Sequence, residues 1–218
     1  MTEVAVEKWN KAAKCLESGK RGEEARYGRF KREIFGKAKG ETLLVAAGTG
    51  VDFKYFLANI ELTAIDFSPV MLRHAEERTD ECAAPLTLVE ADVTDLDFPD
   101  RHFDTVVTSC TFCSVPDPIK GLKEVHRVLK DDGALLMFEH VRPSNFYLGF
   151  MMDVMNPLVR RVGPDINRRT ADNVRAAGFR LTRDYNVYLD TVQAPAEHIA
   201  RAVAELGANR VLYGTDWS

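Results

Sequence analysis

Leu43-Leu44-Val45-Ala46-Ala47-Gly48-Thr49-Gly50 is the stretch that decides the fold. An unbroken apolar run marks a strand covered on both faces, and here it empties into a glycine-rich turn after which a helix is expected to begin. Such a turn lets the backbone approach a ligand closely and offers helix N–H groups to its polar end. Taken alone it is a weak signal. It gains meaning from Leu62-Thr63-Ala64-Ile65-Asp66, a second strand that ends in a carboxylate sixteen residues after Gly50. An acid at that place suits the paired ribose hydroxyls of an adenosine-containing cofactor.

Outward from these two strands the pattern repeats. Apolar runs at 42–46, 62–65, 86–90, 105–109 and 134–139 alternate with helical stretches, as in a doubly wound α/β fold with a mostly parallel sheet. Helix starts are expected at Ser68-Pro69 and Asp117-Pro118, a capping side chain followed by proline at the first helical position. Asp132-Gly133 is expected to end the second of these helices and turn into the fifth strand. The third strand runs into Ala91-Asp92-Val93. There Asp92 suits an adenine amino group and the Val93 N–H a ring nitrogen, the bland alternative being a solvated loop aspartate.

Ahead of the sheet, residues 3–18 and 22–38 read as two amphipathic helices parted by Gly19 and Gly22. Residues 1–40 hold eleven Lys or Arg against six Glu, whereas the whole chain of 218 residues has a net charge of −4. A nucleic-acid binder is usually basic overall, so that class is set aside. Basicity confined to one end suits peripheral contact with an anionic membrane, or a solvated helix face. After the fifth strand, residues 145–161 form a less regular, methionine-rich region able to cover an active-site mouth, and Asp153, Asn156 and Pro157 speak against a spanning segment. With no spanning stretch and no secretory signal at the start, the expected location is cytoplasmic. Four scattered cysteines read as reduced thiols. Cys110 and Cys113 form a Cys-x-x-Cys without matching partners, so no metal is expected.

The glycine turn, Asp66 and Asp92, in order and each at a strand's C-terminal end, resemble class I S-adenosylmethionine-dependent methyltransferases. The resemblance covers about residues 40–194 and extends to Phe98-Pro99-Asp100 before Phe103-Asp104, and to Glu124-Val125-His126-Arg127-Val128-Leu129-Lys130. It implies a Rossmann-like, doubly wound, mostly parallel seven-stranded sheet with an N-terminal helical lid over residues 1–40, a cofactor-binding domain over 41–194 and an appendage over 195–218. It implies S-adenosyl-L-methionine as cofactor, held by Ala46, Gly48, Thr49, Gly50, Asp66, Phe67, Met71, Asp92, Val93, Ser109 and Cys110. The chain departs from the family where Leu44 replaces an acid, Ala46 a first glycine, and Asp131-Asp132-Gly133 a Pro-Gly-Gly turn.

Within the class, Cys113-Ser114-Val115, Glu139-His140-Val141, Asn156-Pro157 and Asp165-Ile166-Asn167-Arg168 resemble phosphatidylethanolamine N-methyltransferases, ubiquinone and menaquinone methyltransferases, and thiol methyltransferases. The implied acceptor is a small molecule or a lipid headgroup, an amine by preference, with a thiol or quinone precursor as the alternative. His140 and Tyr27 are the catalytic candidates, the first as a proton acceptor near neutral pH, the second from the lid; a strand-end hydrogen bond and helix packing are their structural alternatives. A nicotinamide oxidoreductase would want a third glycine where Val51-Asp52-Phe53 stands. A non-catalytic binding module on the same scaffold is the other rival. Residues 197–218, above all Gly207 to Trp217, resemble the final segment of metal-dependent amidohydrolases, including Asp216; no (β/α)₈ barrel fits in this chain, so the tail reads as a fused or truncated remnant, or a docking helix, without catalytic role.

Overall fold

The computed structural model describes residues 3–139, 146–161, 163–180 and 211–214. Its strands are β1 (Gly40–Val45), β2 (Ile60–Asp66), β3 (Leu86–Glu90), β4 (Phe103–Ser109), β5 (Leu129–Phe138) and β6 (Val211–Gly214). Its helices are α1 (Glu3–Phe35), α2 (Pro69–Glu76), α3 (Pro118–Val128), α4 (Phe146–Val159) and α5 (Thr170–Ala176). The strands form one sheet in the order β3-β2-β1-β4-β5-β6, every neighbouring pair parallel. The chain therefore winds outward from β1 to β3, returns to β4 and winds the other way. This reversal leaves a crevice at the carboxyl ends of β1 and β4, where open α/β sheets bind ligands.

Successive residues of the central strands serve two cores. Leu43, Val45, Val106, Leu135 and Met137 face α3 and α5, packing with Leu122, Val125 and Val174. Leu44, Val107, Leu136 and Phe138 face the other way and pack with Ile34, Phe35, Phe53 and Phe56. Each of these side chains is almost wholly withdrawn from water. This burial on both sides is what the unbroken apolar runs recorded.

Several expectations need correction. The sheet has six strands among the described residues rather than seven; residues 181–210 lie outside the described residues, and Val211–Gly214 pairs with Leu135–Phe138 at the edge. The amidohydrolase-like tail thus contributes a structural strand. The two N-terminal helices are one, since α1 runs through Gly19 and Gly22. A mid-helix glycine costs only about 1 kcal/mol, which the long flanking turns absorb. No helix follows Gly50: the chain makes a 3-10 turn at Phe53–Tyr55. Asp132-Gly133 does not end a helix. α3 stops at Val128, and residues 130–133 are extra chain looped out of β5, whose register jumps from Phe103↔Leu129 to Thr105↔Ala134. Residues 145–161, read as irregular, contain the regular helix α4. The caps came out as expected: Ser68 Oγ accepts from the Met71 N–H, and the Asp117 carboxylate from the Lys120 N–H.

Candidate active site

A cavity of about 270 Å³ opens at the reversal point. Ala46, Gly48 and Thr49 line it from the turn after β1, Asp66, Phe67 and Met71 from the end of β2 and the start of α2, Val93 from beyond β3, and Ser109 and Cys110 from the end of β4. Nine of the eleven residues proposed from sequence as cofactor contacts therefore meet in one cavity. Gly50 and Asp92 lie outside its lining.

Backbone shape at the two central strand ends makes the opening. Ala46 and Cys110, directly after β1 and β4, have φ of 58° and 52°, a left-handed conformation that costs a residue with a side chain about 1–2 kcal/mol. The glycine usual at the first of these positions is thereby explained, and here alanine accepts the strain. Gly48 (φ 56°) has nothing within 4 Å of where a Cβ would lie, so its face of the turn is open. Gly50 has a different task. A Cβ there would come within 3.0 Å of the Ala75 backbone, so this glycine lets α2 close against the turn.

Asp66 holds the turn in place. It is 5% exposed; its Oδ2 accepts from the Gly48 N–H at 2.9 Å and its Oδ1 from the Ser68 N–H at 2.9 Å. Burial raises its pKa above the ordinary carboxylate value, an effect opposed by the N–H donors of Ser68, Gly48 and Phe67. Three N–H donors on about four lone-pair sites leave the carboxylate one further acceptor position. With Ala91 and Val93 giving an apolar wall and Gly48 an open face, these groups fit the ribose and adenine of S-adenosylmethionine. Asp92 instead accepts from the Thr94 N–H and hydroxyl, both at 2.9 Å, shaping the bend that presents Val93.

Sequence reading missed the group that builds the β4 side. Glu139, 1% exposed at the end of β5, accepts from the Thr108 hydroxyl at 2.8 Å and from the Thr111 and Phe112 N–H groups at 3.0 and 3.1 Å. Burial lifts its pKa to about 7 against the pull of those donors. Thr111 then donates to the Val45 carbonyl at 3.1 Å, fastening this loop to the end of β1. Both loop thiols line the cavity, and burial raises both: Cys110 well above its usual value, and Cys113 to about 12, with the nearby Glu139 charge adding to the effect. Protonated thiols are poor nucleophiles and poor metal ligands at neutral pH.

The remaining wall comes from α1 through Trp9 and Lys31. Lys31, 2% exposed, donates to Asp52 Oδ1 at 2.9 Å beneath the turn and lies 5.5 Å from the centre of the Phe138 ring. The signal for it was its spacing: Lys31 falls on the face shared by Tyr27, Ile34 and Phe35, a basic residue in an apolar stripe. Three more hydrogen bonds tie α1 to the rest of the chain. Ser68 Oγ donates to Asn10 Oδ1 at 2.5 Å, and Lys8 Nζ donates to the Arg160 and Gly163 carbonyls. Tyr27 packs against Phe138 with ring centres 5.7 Å apart and is not among the lining residues. His140 lies outside the described residues.

Residues 43–137 match the model of a methyltransferase domain. The chain is 29% identical over 194 residues to a demethylmenaquinone methyltransferase from Renibacterium salmoninarum, covering 88% of this chain and 76% of that protein. It is 36% identical over 103 residues to a phosphatidylethanolamine N-methyltransferase from Cereibacter sphaeroides, covering 46% and 51%. Its fold superposes on a S-adenosylmethionine-dependent methyltransferase from Aquifex aeolicus with a TM-score of 0.60 at 20% identity, over 80% of this chain and 90% of that one. The strands that shape the cavity at the reversal point thus carry the methyltransferase-domain match, and the chain is similar to class I S-adenosylmethionine-dependent methyltransferases.

Proposed function

We propose that the protein methylates an amphiphilic acceptor, an amine-bearing lipid headgroup by preference. The observation that carries this reading is the composition of the cavity at the reversal point: its cofactor side is polar around Asp66 and Gly48, while Trp9, Val51, Val115 and Pro164 give the same space an apolar wall. S-adenosylmethionine, when bound, supplies a methyl group already activated on a sulfonium, so the protein's work is alignment and exclusion of water. On this reading Asp66 and the backbone around Gly48 hold the nucleoside, and Phe67, Met71 and Val93 flank the base. Ser109 and Cys110 border the reacting end. α1 acts as the lid, with Trp9 shielding the acceptor. Lys31 is neutralised by Asp52 and leaves no net cation against an amine. His140, next in sequence after Glu139, is the proposed proton acceptor from the amine. Tyr27 has no role in this scheme beyond seating α1 on Phe138.

The test is transfer of labelled methyl to phosphatidylethanolamine vesicles, an alkyl thiol and a demethylated quinol in parallel, with Asp66→Ala as control. Label in the lipid that vanishes in the control is the expected result. Label confined to the thiol or the quinol moves the acceptor class accordingly. Binding of S-adenosylhomocysteine with no transfer to any acceptor would favour a binding module instead.

A further inference from the structure

α4 is built inside out. Phe146, Phe150, Val154 and Leu158 form one i, i+4 row and Tyr147, Met151 and Met155 the next, and all seven side chains are between 49% and 81% exposed. The Phe146 and Phe150 rings stack on each other rather than on the protein, 6.4 Å apart. The inward face holds Gly149, Met152 and Asn156. The helix cannot roll to bury its apolar rows, because Asn156 Nδ2 donates to Asp165 Oδ1 and its Oδ1 accepts from the Ile166 N–H, both at 2.8 Å. Asp165 in turn donates its N–H to the Cys113 carbonyl at the cavity wall. Contiguous exposed apolar surface of this extent marks an interaction site.

We infer that α4 is an interfacial helix that seats the protein on an anionic phospholipid bilayer with the cavity mouth turned towards the lipid. Charge argues for this occupant. The two apolar rows contain no charged residue, and exposed Arg160 and Arg161 follow directly at the helix end, with exposed Arg169 beyond. Apolar rows bordered by arginines suit acyl chains below and phosphate headgroups above. At 14 residues, about 21 Å, and with Pro157 inside it, α4 is too short to cross a bilayer core of about 30 Å. It lies on the surface. The loop joining α4 to the cavity, through Pro164 and the Asp165 bond to Cys113, then places the bilayer beside the site, which deepens the acceptor reading above.

The experiment is co-sedimentation of the full chain with phosphatidylcholine vesicles with and without phosphatidylglycerol, at low salt and without cofactor. Neither lipid carries a primary amine, so docking is read independently of methyl transfer. We expect binding that needs phosphatidylglycerol. It should fall roughly a hundredfold in Phe150→Gln/Leu158→Gln and roughly thirtyfold in Arg160→Gln/Arg161→Gln. All four positions are exposed, so unfolding midpoints and S-adenosylhomocysteine affinity should match the parent protein. Absence of vesicle binding, equal binding by the glutamine variants, or a dimer that the same substitutions dissociate would each overturn the assignment.

Discussion

Replacing Glu139 by glutamine tests how the site is built. The native carboxyl has a pKa of about 7 against an ordinary 4.5, burial being the main cause. Between those values the folded chain keeps a proton that the unfolded chain has released, so stability falls as pH rises through the window and is level above it. The contribution is whole below pH 4.5 and lost above about pH 7. The gap is worth about 3 kcal/mol in all, of which about 2.5 kcal/mol falls between pH 5 and pH 8. Glutamine cannot titrate. Its amide also turns a donor towards the Thr111 or Phe112 N–H, a loss of about 1–3 kcal/mol that does not depend on pH. Urea unfolding of both proteins across that range should therefore give curves that are offset and not parallel, with the variant gaining on the parent by about 2.5 kcal/mol from pH 5 to pH 8. Parallel curves would refute the reasoning, since they would mean that Glu139 holds no proton in the native state.

Ala46→Gly removes a left-handed alanine and should stabilise the protein by up to about 1 kcal/mol in urea unfolding, after allowing for the looser unfolded chain; a clear loss would show that the strain estimate is wrong. Lys31→Met strands Asp52 in the interior and should cost about 3–5 kcal/mol, while Lys31→Met/Asp52→Leu should recover most of it. Equal cost in single and double variants would show that the pair is not coupled. Removing residues 197–218 takes away β6 and bares the edge of β5, so the unfolding midpoint should drop and aggregation rise. S-adenosylhomocysteine binding should survive, and its loss in a truncation that stays folded would give the tail a part in the site.

What the sequence told about the fold came from strands. Residues 43–46 and 106–107 are apolar at successive positions because both faces of β1 and β4 are covered, and that pattern survives any error in the helices around them. Asp66 was legible for the same reason, standing where a strand ends and a side chain must do something other than pack. Gly50, by contrast, read as a ligand contact, and the structure adds a packing constraint against Ala75 that depends on where α2 lies. The role of Glu139 was not legible because its work is done on backbone donors of a loop almost thirty residues earlier in the chain. Nothing local distinguishes such an acid from one that faces water. The bulge at residues 130–133 was hidden likewise, because Asp-Gly signals a turn equally well between elements and within a strand.

The N-terminal segment shows how far charge counting reaches. Its excess of lysine and arginine suggested an anionic surface or a solvated face, yet individual charges have quite separate fates. Lys31 is turned inward to Asp52, Lys8 is spent on the carbonyls that follow α4, and Lys11 pairs with Glu7 along its own helix. Arg168, outside that segment, donates to Asp165 and to the Val115 carbonyl. The charges that remain exposed beside the apolar rows, Arg160 and Arg161, come from a region first singled out for its methionines. A lipid-facing surface is thus better argued from α4 than from the basic helix that first suggested it. The contacts of Lys8 give α1 the complementary task of joining that surface to the cavity wall that Trp9 and Lys31 complete.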